Sequence, residues 1–223
     1  FVEEKGIRTE DLVIGALESA FQECDEVIGR ELEASGQVGG CTALVAMSLK
    51  GNLYVANAGD SRAILVRRDE VRPLSSEFTP ETERQRIQQL ARLLGTLAVS
   101  RGLGDHQLRV LDTNIQLKPF LLSVPQVTVL NMDQLEPQEE DVVVMATDGL
   151  WDVLSNEQVA RLVRSFLPGN REDPHRFSEL AKMLIRSTQG TDDSPIQDGQ
   201  VSYDDVSVFV IPLHHQGQGH SSH

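Results

Sequence analysis

Val142 to Ala146 is an unbroken apolar run that stops at Thr147-Asp148-Gly149, and an amphipathic helix opens at Ser155. The run reads as a buried strand, so Asp148 and Asp152, two carboxylates four residues apart, lie where that strand ends. A strand end holds side chains still, and hard cations require fixed carboxylate oxygens. Trp151, the single tryptophan, lies between the two acids and packs the turn. Read locally, the same stretch is equally a strand-to-helix turn in which Asp and Gly satisfy backbone geometry. The rest of the chain decides between the two.

The chain of 223 residues is long enough to bury a substantial core. Only 4% of it is aromatic, so that core rests on Leu, Val, Ile and Ala. A formal charge of −14 opposes electrostatic capture of nucleic acid or anionic membranes and suits a protein that concentrates cations. Cys24 and Cys41 form neither a metal-ligand spacing nor a disulfide framework, which places the chain in a reducing interior, cytoplasm or nucleus. No apolar run approaches the length of a membrane span. The start, Phe1-Val2-Glu3-Glu4, is not a signal peptide and reads as a segment of a longer protein.

From about Thr9 to Arg30, Leu12, Val13, Ala16, Leu17, Ala20, Phe21, Cys24, Val27 and Ile28 recur at helical spacing, predicting a long helix that covers a sheet. Short apolar runs at 41–47, 53–57 and 62–66, joined by turn signals, read as an antiparallel meander. Gly59-Asp60 interrupts it, as a bulge or as a place of close backbone approach. Thr79-Pro80-Glu81 opens a short helix. The Gly-punctuated segment 93–105 is irregular, with Arg101 and Asp105 expected in a structural ion pair. Residues 127–130 form a strand, and 133–141 an acidic surface loop. Ser155 with Gln158 makes a capping box, and a second helix opens at Asp173-Pro174. Asp204 and Asp205 precede a final apolar strand. This order of elements suits sheets with helices laid on them, not a doubly wound parallel sheet.

Asp60, Asp148, Asp152 and the pair Asp204-Asp205 all lie at strand ends or turns flanked by apolar chain. Acids converging at one pole repel one another unless cations or protons intervene. Oxygen ligands without His or Cys suit Mg²⁺ or Mn²⁺, and a pair of such ions activates water against a phosphoryl group. Metal-assisted hydrolysis of a phosphate ester is the chemistry this pattern points to.

Four segments in order resemble the metal-dependent type 2C protein serine/threonine phosphatases: Gly40-Cys41-Thr42-Ala43, Asn57-Ala58-Gly59-Asp60-Ser61-Arg62, Leu97 to Asp105, and Ala146 to Asp152. Asp204-Asp205-Val206-Ser207-Val208 is similar to the family's closing strand, and the wording is nearest the eta/H/J branch. The resemblance implies an α+β fold of two antiparallel sheets sandwiched between helix pairs, here without the N-terminal strands. It implies one catalytic domain over residues 1–213 and a polar, disordered tail over 214–223. It further implies that Asp148 and Asp204 ligate a core pair of Mn²⁺ or Mg²⁺ ions, while Asp60 and Asp152, with Asp148, hold a third and weaker one. The implied activity is hydrolysis of phosphoserine and phosphothreonine in protein substrates by metal-activated water. The protein is expected to be an intracellular monomer that binds neither nucleic acid nor membrane.

The sequence departs from the family pattern in three places. An N-terminal Asp-Gly-His-Gly-Gly-like motif, whose Asp bridges both metals, does not occur in the 223 residues, nor does the earlier Arg…Glu-Asp segment. The flap between the Glu83-Arg84-Gln85-Arg86-Ile87 helix and the Leu97 motif is short. The alternative expectation is therefore a catalytically inactive pseudophosphatase or regulatory binding domain, and the 223 residues alone are expected to be poorly active.

Overall fold

The computed structural model describes residues 8–84, 98–109, 114–189 and 201–214. Two compact units divide the chain: residues 1–61 with 75–130, and residues 62–74 with 131–223. The chain passes between them after Ser61, after Leu74 and after Leu130.

The first unit opens with α1 (Thr9–Ser35), five residues longer than the periodicity of its apolar face predicts. It ends where Gly36 adopts a left-handed φ of 67° and donates back to the Glu33 carbonyl. Strands β1 (Gly40–Cys41), β2 (Ala43–Leu49) and β3 (Asn52–Ala58) follow. β2 and β3 form an antiparallel hairpin, Ala43 opposite Ala58 and Leu49 opposite Asn52. The later strand β7 (Gln126–Asn131) pairs on the far side of β3. β6 (Leu103–Gly104) pairs antiparallel with β1. Phe21 packs with Ala56, Ala58 and Leu103, and Leu17 and Ile28 lie against them, so α1 covers the sheet as its pattern predicts. Leu12, Ala16, Ala20, Cys24 and Val27 of the predicted face are exposed instead, while Asp25 is buried on the inner face.

The second unit is built on a four-stranded antiparallel sheet in the order β5 (Val71–Pro73), β4 (Arg62–Val66), β8 (Val142–Ala146), β9 (Val208–Pro212). All five residues of β8 are buried, which is why its sequence is apolar without alternation. Its helices are α2 (Met132–Leu135), α3 (Asp148–Trp151), α4 (Asn156–Phe166) and α5 (Arg176–Arg186). Val159, Val163, Leu180 and Leu184 from α4 and α5 pack with Ile64, Val66, Val142 and Val144. Each such fully buried side chain contributes about 1.5–3 kcal/mol. The capping box is complete: Gln158 N–H donates to Ser155 Oγ at 3.3 Å, and Ser155 N–H to Gln158 Oε1 at 2.8 Å.

Four expectations change. The meander does not continue through Gly59: β3 belongs to the first unit's sheet and β4 to the second unit's, so the interruption is a switch of sheets. Arg101 forms its ion pair with Glu83 at 2.9 Å rather than with Asp105. Asp141, expected on a surface loop, is buried and binds Arg67 Nε at 2.9 Å. The second helix starts at Arg176, not at Pro174, because Asp173 Oδ1 accepts the His175 N–H and forms a turn first. The helix expected after Pro80 falls largely outside the described residues, as does most of the tail.

Candidate functional site

β8 delivers Thr147 and Asp148 to the end of the second unit's sheet. Thr147 N–H donates to the Ser207 carbonyl at 3.2 Å, and Ser207 N–H donates to Thr147 Oγ1 at 3.1 Å. The Thr147 hydroxyl in turn donates to the Asp205 carbonyl at 3.3 Å. These bonds stitch the Asp148 turn to the segment that carries Asp204. A Cβ on Gly149 would lie 2.6 Å from the Asp205 carbonyl oxygen. Close backbone approach, not a left-handed φ, is therefore what demands glycine at 149.

The two acids are held alike. Gly149 N–H donates to Asp148 Oδ1 at 2.9 Å, and Asp205 N–H donates to Asp204 Oδ1 at 2.8 Å. Each carboxylate is thus fixed by its own following amide through one oxygen. Trp151 stabilises the turn from below: its ring is buried, its Nε1–H donates to the Ala146 carbonyl at 2.9 Å, and Arg62 stacks 5.0 Å from the ring centroid. Arg62 also donates to Asn156 Oδ1 at 2.7 Å, which fixes the start of α4 relative to the turn.

Burial first, and then the charges of Asp204 and Asp152, push the Asp148 carboxyl above the usual carboxylate range. The charges of Asp204 and Asp152 thus reach Asp148. Among the described residues no three His, Cys, Asp or Glu side chains are grouped closely enough to hold a metal ion. The chemistry of the donor set fits a hard divalent cation nonetheless, since its oxygens are all carboxylate and their mutual repulsion is what such an ion relieves.

Asp60 lies in the first unit, in the turn after β3. Gly59 there has a φ of 145°, and a Cβ on it would lie 2.4 Å from Thr42. Asn57, fully buried, holds the turn by donating its side-chain amide to the carbonyls of Gly59, Ser61 and Ser76 at 2.8–3.2 Å. Thr147 and Asn57 are positioning residues that pattern reasoning missed. Nothing in the local sequence announces a threonine that bridges 60 positions or an amide that bonds three carbonyls.

The model of the family described as protein phosphatase 2C matches residues 3–193. The chain belongs to the protein phosphatase 2C family. Human protein phosphatase 1M is 69% identical over an alignment that includes all of this chain and 62% of that protein. Human protein phosphatase 1H is 41% identical, with 96% of this chain and 55% of that protein covered. The chain thus spans less than two thirds of these relatives' length. A solved serine-threonine phosphatase 2C from Toxoplasma gondii superposes with a TM-score of 0.63 at 19% identity, covering 94% of this chain and 72% of that one. That likeness bears out the mixed α+β fold with antiparallel sheets.

Proposed function

We propose that this chain is catalytic sequence of a metal-dependent protein phosphatase that hydrolyses phosphoserine and phosphothreonine. The observation that carries the reading is the pair Asp148 and Asp204. They are oriented by identical backbone bonds and sit close enough for one charge to raise the other's pKa, inside a 2C-family match. Asp148 and Asp204 would hold Mn²⁺ or Mg²⁺, and Asp152, in the same unit, would serve a further ion. When bound, such ions supply an acidified water and neutralise developing phosphoryl charge. The chain's own contribution is orientation: Thr147 and Gly149 hold the two acidic segments together, and Trp151 with Arg62 keeps the turn from shifting. Phosphoproteins are the proposed substrates, and an intracellular setting agrees with two exposed free thiols.

The second reading, an inactive family member that binds phosphoproteins without turnover, draws on the absence of a three-ligand group among the described residues. The discriminating experiment is Mn²⁺-dependent release of phosphate from a phosphothreonine peptide. The enzyme reading expects release that a chelator stops and that Asp148→Ala lowers at least about 100-fold, the scale set by removing a group that stabilises the transition state. No release from wild type, with the peptide still bound, favours the second reading.

A further inference from the structure

At the opposite end of β8 from Asp148, the second unit carries a cavity of about 660 Å³ floored by Val66, Val163 and Leu167. Along the strand it lies roughly 15–20 Å from the acidic turn, at about 3.3 Å per residue. Its volume is that of an ordinary ligand site. Its charge runs against that of the molecule. Within a protein of formal charge −14, the cavity wall holds Arg67, Arg68, Arg164 and Arg171.

Every acid in the wall is already neutralised. Asp141 binds Arg67 at 2.9 Å, Glu140 binds Arg171 at 2.5 Å, and Glu139 binds Arg176 at 3.2 Å. Arg67 is further saturated by the Leu135 carbonyl at 3.0 Å. That leaves Arg68 and Arg164, neither of which has an ion-pair partner among the described residues. Arg164 is half-buried on α4 and aimed by a single bond, its Nε–H donating to the Arg67 carbonyl at 2.9 Å. Both of its terminal nitrogens remain for a ligand. Arg68 is exposed at the rim.

Two uncompensated guanidinium groups over an apolar floor match a group of two negative charges with several acceptor oxygens. A phosphate monoester carries about −1.5 to −2 at pH 7 and three strong acceptors. A single carboxylate is satisfied by one Arg fork and would leave the second unmatched. We infer that this cavity binds a phosphorylated side chain of a partner protein, as a docking site separate from the acidic turn. The inference does not depend on whether that turn hydrolyses anything.

The test is calorimetric titration of the chain in chelator, where metal-dependent hydrolysis cannot occur. The titrants are a phosphoserine peptide, the same peptide with Glu or Ser at that position, and inorganic phosphate. The phosphopeptide is expected to bind at least tenfold more tightly than the Glu and Ser peptides, and more tightly than free phosphate. Arg68→Gln, at an exposed position with no described partner to lose, is expected to weaken it at least fivefold without changing the Tm. Arg164→Lys keeps a charge but loses the planar fork, and is expected to weaken it similarly. Undiminished binding by Arg68→Gln and by a folded Arg164→Lys would overturn the site. Free phosphate binding as tightly as the phosphopeptide would overturn the protein-docking role. Asp148→Asn should leave phosphopeptide affinity at the cavity unchanged, and loss of binding in that variant would place the ligand at the acidic turn instead.

Discussion

Lys118 Nζ meets Asp25 Oδ1 at 2.6 Å, although 93 positions separate them in the chain. The same oxygen accepts the Gly104 N–H at 2.7 Å, and Lys118 also donates to the Gly104 carbonyl at 2.8 Å. His106 Nε2 lies 3.1 Å from the carboxylate. A buried acid on α1 thus clamps the β6 segment by its backbone. Burial alone would raise the Asp25 pKa. The Lys118 hydrogen bond, the Gly104 N–H, and the charges of Lys118 and His106 outweigh it and hold the carboxyl below its usual range.

Replacing that acid removes hydrogen bonds to a charged group and strands Lys118. Asp25→Asn is expected to cost about 2–3 kcal/mol in urea unfolding at pH 7. Because the folded pKa is depressed, the contribution is present above the unfolded pKa and fades as pH falls through the folded value. The gap between variant and wild type should accordingly narrow below about pH 4. A gap that is constant with pH would show that shape rather than charge dominates.

Asp148 works in the other direction. Its raised pKa means that ionising it in the folded state is unfavourable, so its presence lowers stability once pH exceeds the folded value. In chelator at pH 7, Asp148→Asn is expected to raise the Tm by a few degrees, on the scale of about 2–4 °C per kcal/mol. The gain should disappear below the unfolded pKa of about 4. Mn²⁺ should stabilise wild type more than the variant. A variant that melts lower in chelator and responds to Mn²⁺ as wild type does would refute the repulsion.

Gly149→Ala adds a single methyl group against the Asp205 carbonyl, 2.6 Å away. Backbone cannot yield there as a flexible side chain would, so the Asp148 and Asp204 segments must separate. The expected outcome is a loss of about 1–3 kcal/mol in stability, with at least a tenfold loss of Mn²⁺-stimulated phosphatase activity. Melting curves and phosphate release measured on one preparation distinguish the two effects.

Ser155→Ala opens the capping box of α4 and is expected to cost about 1 kcal/mol, with no change in metal affinity. Chemical denaturation with and without Mn²⁺ checks both halves.

Ser155 is also where the sequence is most legible. A capping box is complete within four residues, and β8 declares itself by five buried apolar positions in a row. Asp148 could be placed at a strand end because strand ends are local events, whereas Asp152 instead closes α3 and Asp204 lies in a bend ahead of β9. What stayed hidden depends on distant partners. Asp25 falls within the apolar face of α1, and only Lys118 and Gly104 explain an acid there. Asp141 looks like one more acid in a polar loop until Arg67, 74 positions away, is seen to bind it. The sheet switch at Gly59 is invisible for the same reason: adjacent β3 and β4 would pair by default, and β4 instead takes Val142–Ala146 as its neighbour.

That switch sets an order on biosynthesis. The β2–β3 hairpin can close as soon as it leaves the ribosome, since its strands are adjacent. β4 emerges immediately afterwards but must wait some eighty residues for β8, and β8 must wait again for its other neighbour, β9. During that interval the apolar stretch Ala63–Val66 lacks both β8 and the helices α4 and α5 that pack with Ile64 and Val66. A nascent chain paused between β4 and β8 presents that stretch to chaperones, and a stop before Val208 leaves β8 open along one side. A chain that ends between β8 and Val208 is therefore expected to aggregate through that open edge.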